Sequence, residues 1–307
     1  MLFRSAAAYR GDNSATIPAS SLLCGPVEAA LVNGMLAHSD ETDDTHPASL
    51  SHPGSAVVPA ALAVGERAGI GGERFLRAVA LGYDVGPRVT AMLGKIEYMA
   101  ATHKSTHAIA GTFGAAAAAG SALGLDAQHM RWLLSYTAQQ ASGLASWQRD
   151  TQHIEKSFVF AGMTARSGTT AALLVHAGFN GIDDIFSGPD NYFQAYAPNA
   201  KPELLVEKLG ERYEIARTNL KKWTVGSPIQ APLDCLYNIS KRHPLKADDV
   251  KQVVIQLSHT EANTVDNREM PDISLQHMVA VMLLDGTASF AAAHDRNRMA
   301  DQAVLRQ

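Results

Sequence analysis

Residues 106–124, THAIAGTFGAAAAAGSALG, are dominated by side chains too small to fill a core by themselves. Gly111, Gly114, Ala115, Ala118, Ala119 and Ala122 leave several faces of one helix smooth, so neighbouring helices can approach on every side. The run is expected to be a central helix, buried all round. Outward from it, apolar spacing predicts helices over 26–38, 56–68, 73–93, 127–147 and 161–178. The helix over 73–93 carries Phe75, Leu76, Val79, Ala80 and Tyr83 on one face and is expected to bend near Gly86 and Pro87. Residues 1–25 read as loop, Gly25 and Pro26 open the first firm helix, and Gly178 closes the last of this series.

From Ala197 the character changes. Pro198, Asn199 and Pro202 interrupt the helical pattern, and VKQVVIQLSHT from Val250 alternates apolar and polar residues as a half-buried strand does. A further helix is expected over 274–291. The fold class is therefore mainly α, with a large all-helical domain over 1–199 and a smaller α+β domain over 200–307. A composition of 46% hydrophobic and 18% charged residues is that of a soluble globular protein. The net charge of -4 and the scattered Lys and Arg residues exclude a nucleic-acid partner. No apolar run has the length of a membrane span, and MLFRSAAAYRGD lacks the apolar core of a secretory signal. Cys24 and Cys235 are too few for a disulfide framework or an iron–sulfur cluster, so a reducing, cytoplasmic setting is expected.

The densest chemistry lies in Asn33–Gly54, NGMLAHSDETDDTHPASLSHPG. His38, Asp40, Glu41, Asp43, Asp44, Thr45, His46 and His52 crowd a connection between two helices, where carboxylates and imidazoles can tune one another for general acid–base work. A solvated acidic turn capping the next helix is the plainer reading, and a metal site using His46 and His52 is a third, although the spacing matches no defined metal motif. His103 and His107 stand four residues apart and share one face if that segment is helical. Lys156 precedes a small-residue helix, where an ammonium can meet an anionic ligand. Lys221 and Lys222 adjoin Trp223, Gly226 and Gln230 in a loop that these residues fold inward. Taken singly, such histidine pairs and lysines are more often structural or solvated than functional.

Together these segments resemble the MmgE/PrpD family, which includes 2-methylcitrate dehydratase, cis-aconitate decarboxylase and iminodisuccinate epimerase. The resemblance rests on NGMLAHSDETDDTHPASLSHPGSAVVPAALAVGE, AGTFGAAAAAGSALGLD, KSFVFAGMTARSGTTAALLVHAGFNG, KKWTVGSPIQAPLD and ISLQHMVAVMLLDG, which follow one another in the family's order from about Pro26 to Gly286. It implies a helical domain with a smaller α+β lid, a homodimer and chemistry without cofactor or metal. By position it implies catalytic roles for Glu41, Asp44, Thr45 and His52. It implies another for His103 or His107, with His107 preferred, because Ser105 stands where the family has its histidine. Lys156 and Lys221 match lysines that hold substrate carboxylates. Gln230 and His277 stand at substrate-binding positions where relatives carry other residues. Glu41 stands in place of a shorter aspartate.

The activity implied is that of a lyase, most directly a hydro-lyase, removing a proton α to a carboxylate of a 2-methylcitrate-type di- or tricarboxylate. Epimerase and decarboxylase reactions share the same carbanion. Against the family's usual length the chain looks truncated at both ends, the lid is expected to be incomplete with unpaired strand edges, and a catalytically silent homologue is the alternative. A metal-dependent hydrolase built on the acidic loop is a further one.

Overall fold

The computed structural model describes residues 11–197 and 199–307, so Met1–Arg10 and Pro198 lie outside the described residues. Two compact units emerge: residues up to Ser39 together with Asp43–Asn219, and Asp40–Thr42 together with Leu220–Gln307. The fold is mainly α.

In the first unit the principal helices are α1 (Pro26–His38), α2 (Gly54–Ala68), α3 (Gly72–Leu93), α4 (Lys95–Thr102), α5 (Thr106–Leu123), α6 (Ala127–Gln140) and α7 (Met163–His176). Helix α5 is the small-residue run, buried almost throughout, and packs against α2, α3, α6 and α7. Its neighbours approach to backbone contact: a Cβ at Gly168 of α7 would lie 2.4 Å from the Ala116 amide, and one at Gly82 of α3 would lie 2.7 Å from the Gly114 carbonyl. The Ser105 hydroxyl caps α5 by accepting from the Ala108 N–H at 3.3 Å.

Where sequence periodicity and structure part, tertiary contacts explain the difference. Helix α6 ends at Gln140 and not near 147, because Gly143 adopts φ 136° and brings the chain back beside the start of α5. The Ser105 N–H donates to the Gly143 carbonyl at 2.9 Å. A 3₁₀ turn, Ala145–Arg149, then turns Trp147 inward. Helix α3 runs from Gly72 to Leu93 with Pro87 inside it. Residues 15–24, read as loop, form a hairpin in which Ala15–Thr16 pairs antiparallel with Leu23–Cys24, burying Ala15, Ile17 and Cys24. The last helix begins earlier than periodicity indicates: Ile154–Ser157 runs into a π turn at Phe158–Gly162 and on into α7. By length and composition that run of Ile154–His176 is apolar enough to cross a membrane, but more than half of its apolar window is packed inside the protein.

The second unit is built on α8 (Ser227–Arg242) and α9 (Leu275–Asp285), whose Ile229, Leu233, Met278 and Val281 meet in one core. Gly286, at φ 69°, ends α9 well before 291. The alternating segment after Val250 forms no strand. Ile255 and Leu257 pack against the core while Val254 is 73% exposed, so the two-faced pattern is real, but no described neighbour offers the backbone ladder a strand needs.

The close approach of α7 to α5 makes Gly168 intolerant of bulk. Gly168→Val is expected to lower stability by about 1–3 kcal/mol or more in chemical denaturation, by overpacking. Gly71→Ala, at an open position with nothing near its Cβ, serves as a near-neutral control.

Candidate functional site

Helix α1 delivers His38 to the start of the acidic connection, and its fit against the π turn fixes where that happens. A Cβ on Gly34 would sit 2.8 Å from the Ala161 carbonyl, and one on Gly162 would sit 2.4 Å from Met35 Cγ. These contacts press the end of α1 against Phe160, whose ring lies within the π turn. Single π turns of this kind recur at functional sites because the extra residue re-aims a side chain.

Phe160 is the hub of an imidazole cluster. His107, on the first turn of α5, stacks on it with ring centroids 4.1 Å apart, and His38 and His52 stack at 5.0 and 5.8 Å. His52 and His107 face each other at 5.4 Å, His38 meets His153 at 5.3 Å, and Trp147 closes edge-on against Phe160 at 4.5 Å. The Lys156 ammonium lies 5.5 Å from the Phe160 ring centre and 6.0 Å from that of Trp147, within cation–π reach. Its backbone N–H donates to the Asp150 carboxylate at 2.9 Å. Burial disfavours ionisation of that carboxylate, but the amides of Lys156, Gln152 and Glu155 outweigh it and hold Asp150 below the usual range.

Hydrogen bonds order the cluster. His38 Nδ1 and Asp43 Oδ2 are 2.6 Å apart, both buried. His52 Nδ1 lies 2.5 Å from the Asp44 carbonyl oxygen, which can only accept, so Nδ1 carries the proton and Nε2 is left as the basic nitrogen. Asp44 accepts from the Gly54 N–H at 3.1 Å and lies beside the Tyr83 hydroxyl. Burial, and next the Asp44 charge, push the Tyr83 phenol well up, so it stays protonated and donates. Burial pushes the His107 imidazole well below its ordinary value, and His52, whenever it is protonated, and the Lys156 charge push the same way. His107 Nδ1 is buried without a hydrogen-bond partner among the described residues.

One ligand atom each from His38, Asp43 and His52 falls within 4.8 Å of the others. The 2.6 Å His38–Asp43 separation is that of a hydrogen bond, shorter than the roughly 3.3 Å edge of a tetrahedral zinc site, and the protonated His52 Nδ1 is engaged elsewhere. The group is a hydrogen-bonded network that can share protons.

Of the residues singled out in the sequence, Asp44, His52, His107 and Lys156 fall in this cluster or against it, with Thr45 beside Asp44 in a two-residue strand. His103 does not join them. It ends α4 in the left-handed region at φ 58°, is exposed, and lies outside α5, so the expected shared face with His107 does not exist. Glu41 and Lys221 belong to the second unit, where they form a buried ion pair at 2.5 Å with side chains 1% exposed. Gln230 uses both acceptor sites for the Lys222 and Trp223 amides and both donors for the Trp223 and Val225 carbonyls. Its hydrogen-bonding capacity is filled by its own loop. His277 is buried on α9, with Nε2 unpartnered among the described residues and its proton affinity lowered by burial.

Sequence reasoning passed over Asp43, His38, His153, Tyr83, Trp147 and Phe160 as site residues. Asp43 and His38 carried a signal in the acidic loop. The others did not, since nothing local marks an aromatic residue as the platform for three distant imidazoles.

A mainly α fold with a histidine- and lysine-lined aromatic cluster at a helix-to-helix loop now meets its relatives. The MmgE/PrpD N-terminal domain matches residues 1–205 and the MmgE/PrpD C-terminal domain matches residues 223–306. The chain belongs to the MmgE/PrpD family. Human cis-aconitate decarboxylase is 27% identical over 294 residues, covering 88% of this chain and 58% of the relative. The mouse protein of that name is 28% identical over 295 residues, covering 88% and 57%. The cis-aconitate decarboxylase-like protein oryM of Aspergillus oryzae is 26% identical over 254 residues, covering 76% and 52%. The chain thus spans somewhat more than half the length of these relatives.

Two outcomes follow from the electrostatics. Because the folded state holds His107 below its ordinary 6.5, the unfolded chain binds more protons between that value and the lowered one. Stability should then fall as pH drops below about 6.5, and His107→Gln should make the slope of denaturation midpoint against pH shallower there. Removing one partner of the buried Glu41–Lys221 pair strands the other charge, so Glu41→Gln should cost about 3–5 kcal/mol in urea denaturation.

Proposed function

We propose that this chain is a lyase that works without cofactor or metal on a small di- or tricarboxylate, through a carbanion α to a carboxylate. The observation that carries this reading is the pairing of an imidazole kept neutral by burial, His107, with the Lys156 ammonium close enough to depress it further. An ammonium in an aromatic, water-poor setting stabilises the negative charge that develops on a substrate carboxylate. A neutral imidazole near working pH can take a proton, and His52, its tautomer set by Asp44, offers a second basic nitrogen.

Cis-aconitate is the first substrate to test, because it is named for the relatives in three organisms. In decarboxylation the C–C bond to one carboxylate breaks, CO₂ leaves, and the electron pair left on carbon takes a proton that comes from water and is relayed by an imidazole. Dehydration of a 2-methylcitrate-type compound uses the same groups in another order: an imidazole removes the α-proton and the hydroxyl departs as water after accepting a proton.

The test is proton NMR of the purified chain with cis-aconitate or 2-methylcitrate in deuterated water containing a chelator. Product alkene signals should form with wild type and fall by about 10²-fold or more in His107→Gln and in Lys156→Met, while His103→Gln stays close to wild type. A folded wild type that leaves both compounds unchanged, or variants that turn over at the wild-type rate, would sink the proposal.

A further inference from the structure

A second polar site lies in the first unit and shares no residue with the histidine cluster. A cavity of about 180 Å³ is lined by His46, Ser49, Arg88, Lys95, Arg212 and Arg217, together with Glu207, Glu214 and small or apolar neighbours. Its size suits an ion of phosphate or short dicarboxylate dimensions and is below that of most cofactor pockets.

The walls are held by interactions that leave donors over. Arg88 is 3% exposed; it pairs with Asp84 at 3.0 Å and donates to the Glu207 and Arg212 carbonyls at 2.7 and 2.9 Å, which makes it a fixed, neutralised floor. His46 Nε2 meets Glu214 at 2.9 Å and Nδ1 meets the Ser49 hydroxyl at 2.8 Å, tying the 46–49 loop to the 212–217 segment. With Arg88 balanced by Asp84, three cations, Lys95, Arg212 and Arg217, face two carboxylates, Glu207 and Glu214. Arg212 uses two N–H groups on these acids and Arg217 uses one, out of five each. The ammonium of Lys95, a residue at φ 56°, makes no hydrogen bond or ion pair among the described residues.

We propose that this cavity is a binding site for a small oxyanion, held by the Lys95 ammonium and the unused guanidinium N–H groups of Arg212 and Arg217. The chemistry is that of phosphate or a short carboxylate dianion: negative oxygens that accept several charge-assisted hydrogen bonds at once. The pre-built His46–Glu214–Ser49 network means that little ordering is needed on binding. An anion there would brace the 204–217 segment against the 46–49 loop, whose neighbours along the chain are Asp44 and His52.

Isothermal titration of the whole chain at low ionic strength, with inorganic phosphate and with malonate, tests this. One equivalent of at least one anion is expected to bind, more weakly as salt rises, with the uncharged malonamide giving no heat. Lys95→Gln and Arg217→Gln alter partly exposed side chains and should keep the fold. Each should weaken binding by about tenfold, and the anion's rise in melting temperature should shrink in step. Preference for phosphate or for malonate identifies the source of the oxyanion. No saturable binding by wild type, or binding unchanged in the Lys95→Gln/Arg217→Gln double variant, overturns the proposal.

Discussion

Backbone-to-backbone approach around α5 is the constraint on which the first unit depends. At Gly168, Gly82 and Gly86 the neighbouring helices come so near the backbone of α5 that a methyl group would overlap main-chain atoms. Dispersion contacts fall off steeply with distance, so helices in direct contact gain packing from many small atoms that a leucine-rich seam would obtain from large side chains. The cost is tolerance. A core built from Gly and Ala cannot adapt by changing rotamers, and each helix has one acceptable depth and register.

That rigidity is what a proton-transfer site needs. His107 stands on the first turn of α5, Phe160 on the π turn leading into α7, and His38 at the end of α1; these elements lock together through Gly34, Gly111 and Gly162. The imidazoles therefore meet over Phe160 at distances set by backbone packing. Burial in this aromatic setting then fixes the charge states, lowering His107 and keeping Tyr83 protonated. The second unit relies on larger apolar side chains between α8 and α9, with the half-buried Gln230 and the buried Glu41–Lys221 pair as polar fasteners.

Chemical character was readable along the chain wherever it was local. The small-residue run named the central helix because only a helix approached on all sides has use for such a surface. The acidic loop, His52, His107 and Lys156 stood out by composition and by resemblance to the family. At Gln230, an amide in a functional-looking loop carries no local sign that its four hydrogen-bonding sites are taken by the backbone of that loop. VKQVVIQL misled because alternation reports which residues face a core, while a strand also requires a neighbour to pair with.

What the sequence determined by itself was thus the helical class, the central position of residues 106–124, the family, and the residue types available for chemistry. These depend on periodicity and side-chain volume, which act over a few turns of chain. Tertiary structure alone decided that His103 turns away while His107 joins His38 and His52, that Phe160 carries them, and that Arg88, Lys95, Arg212 and Arg217 gather round one cavity. Those outcomes join residues separated by up to some 130 positions, through packing depth and desolvation that no local pattern encodes.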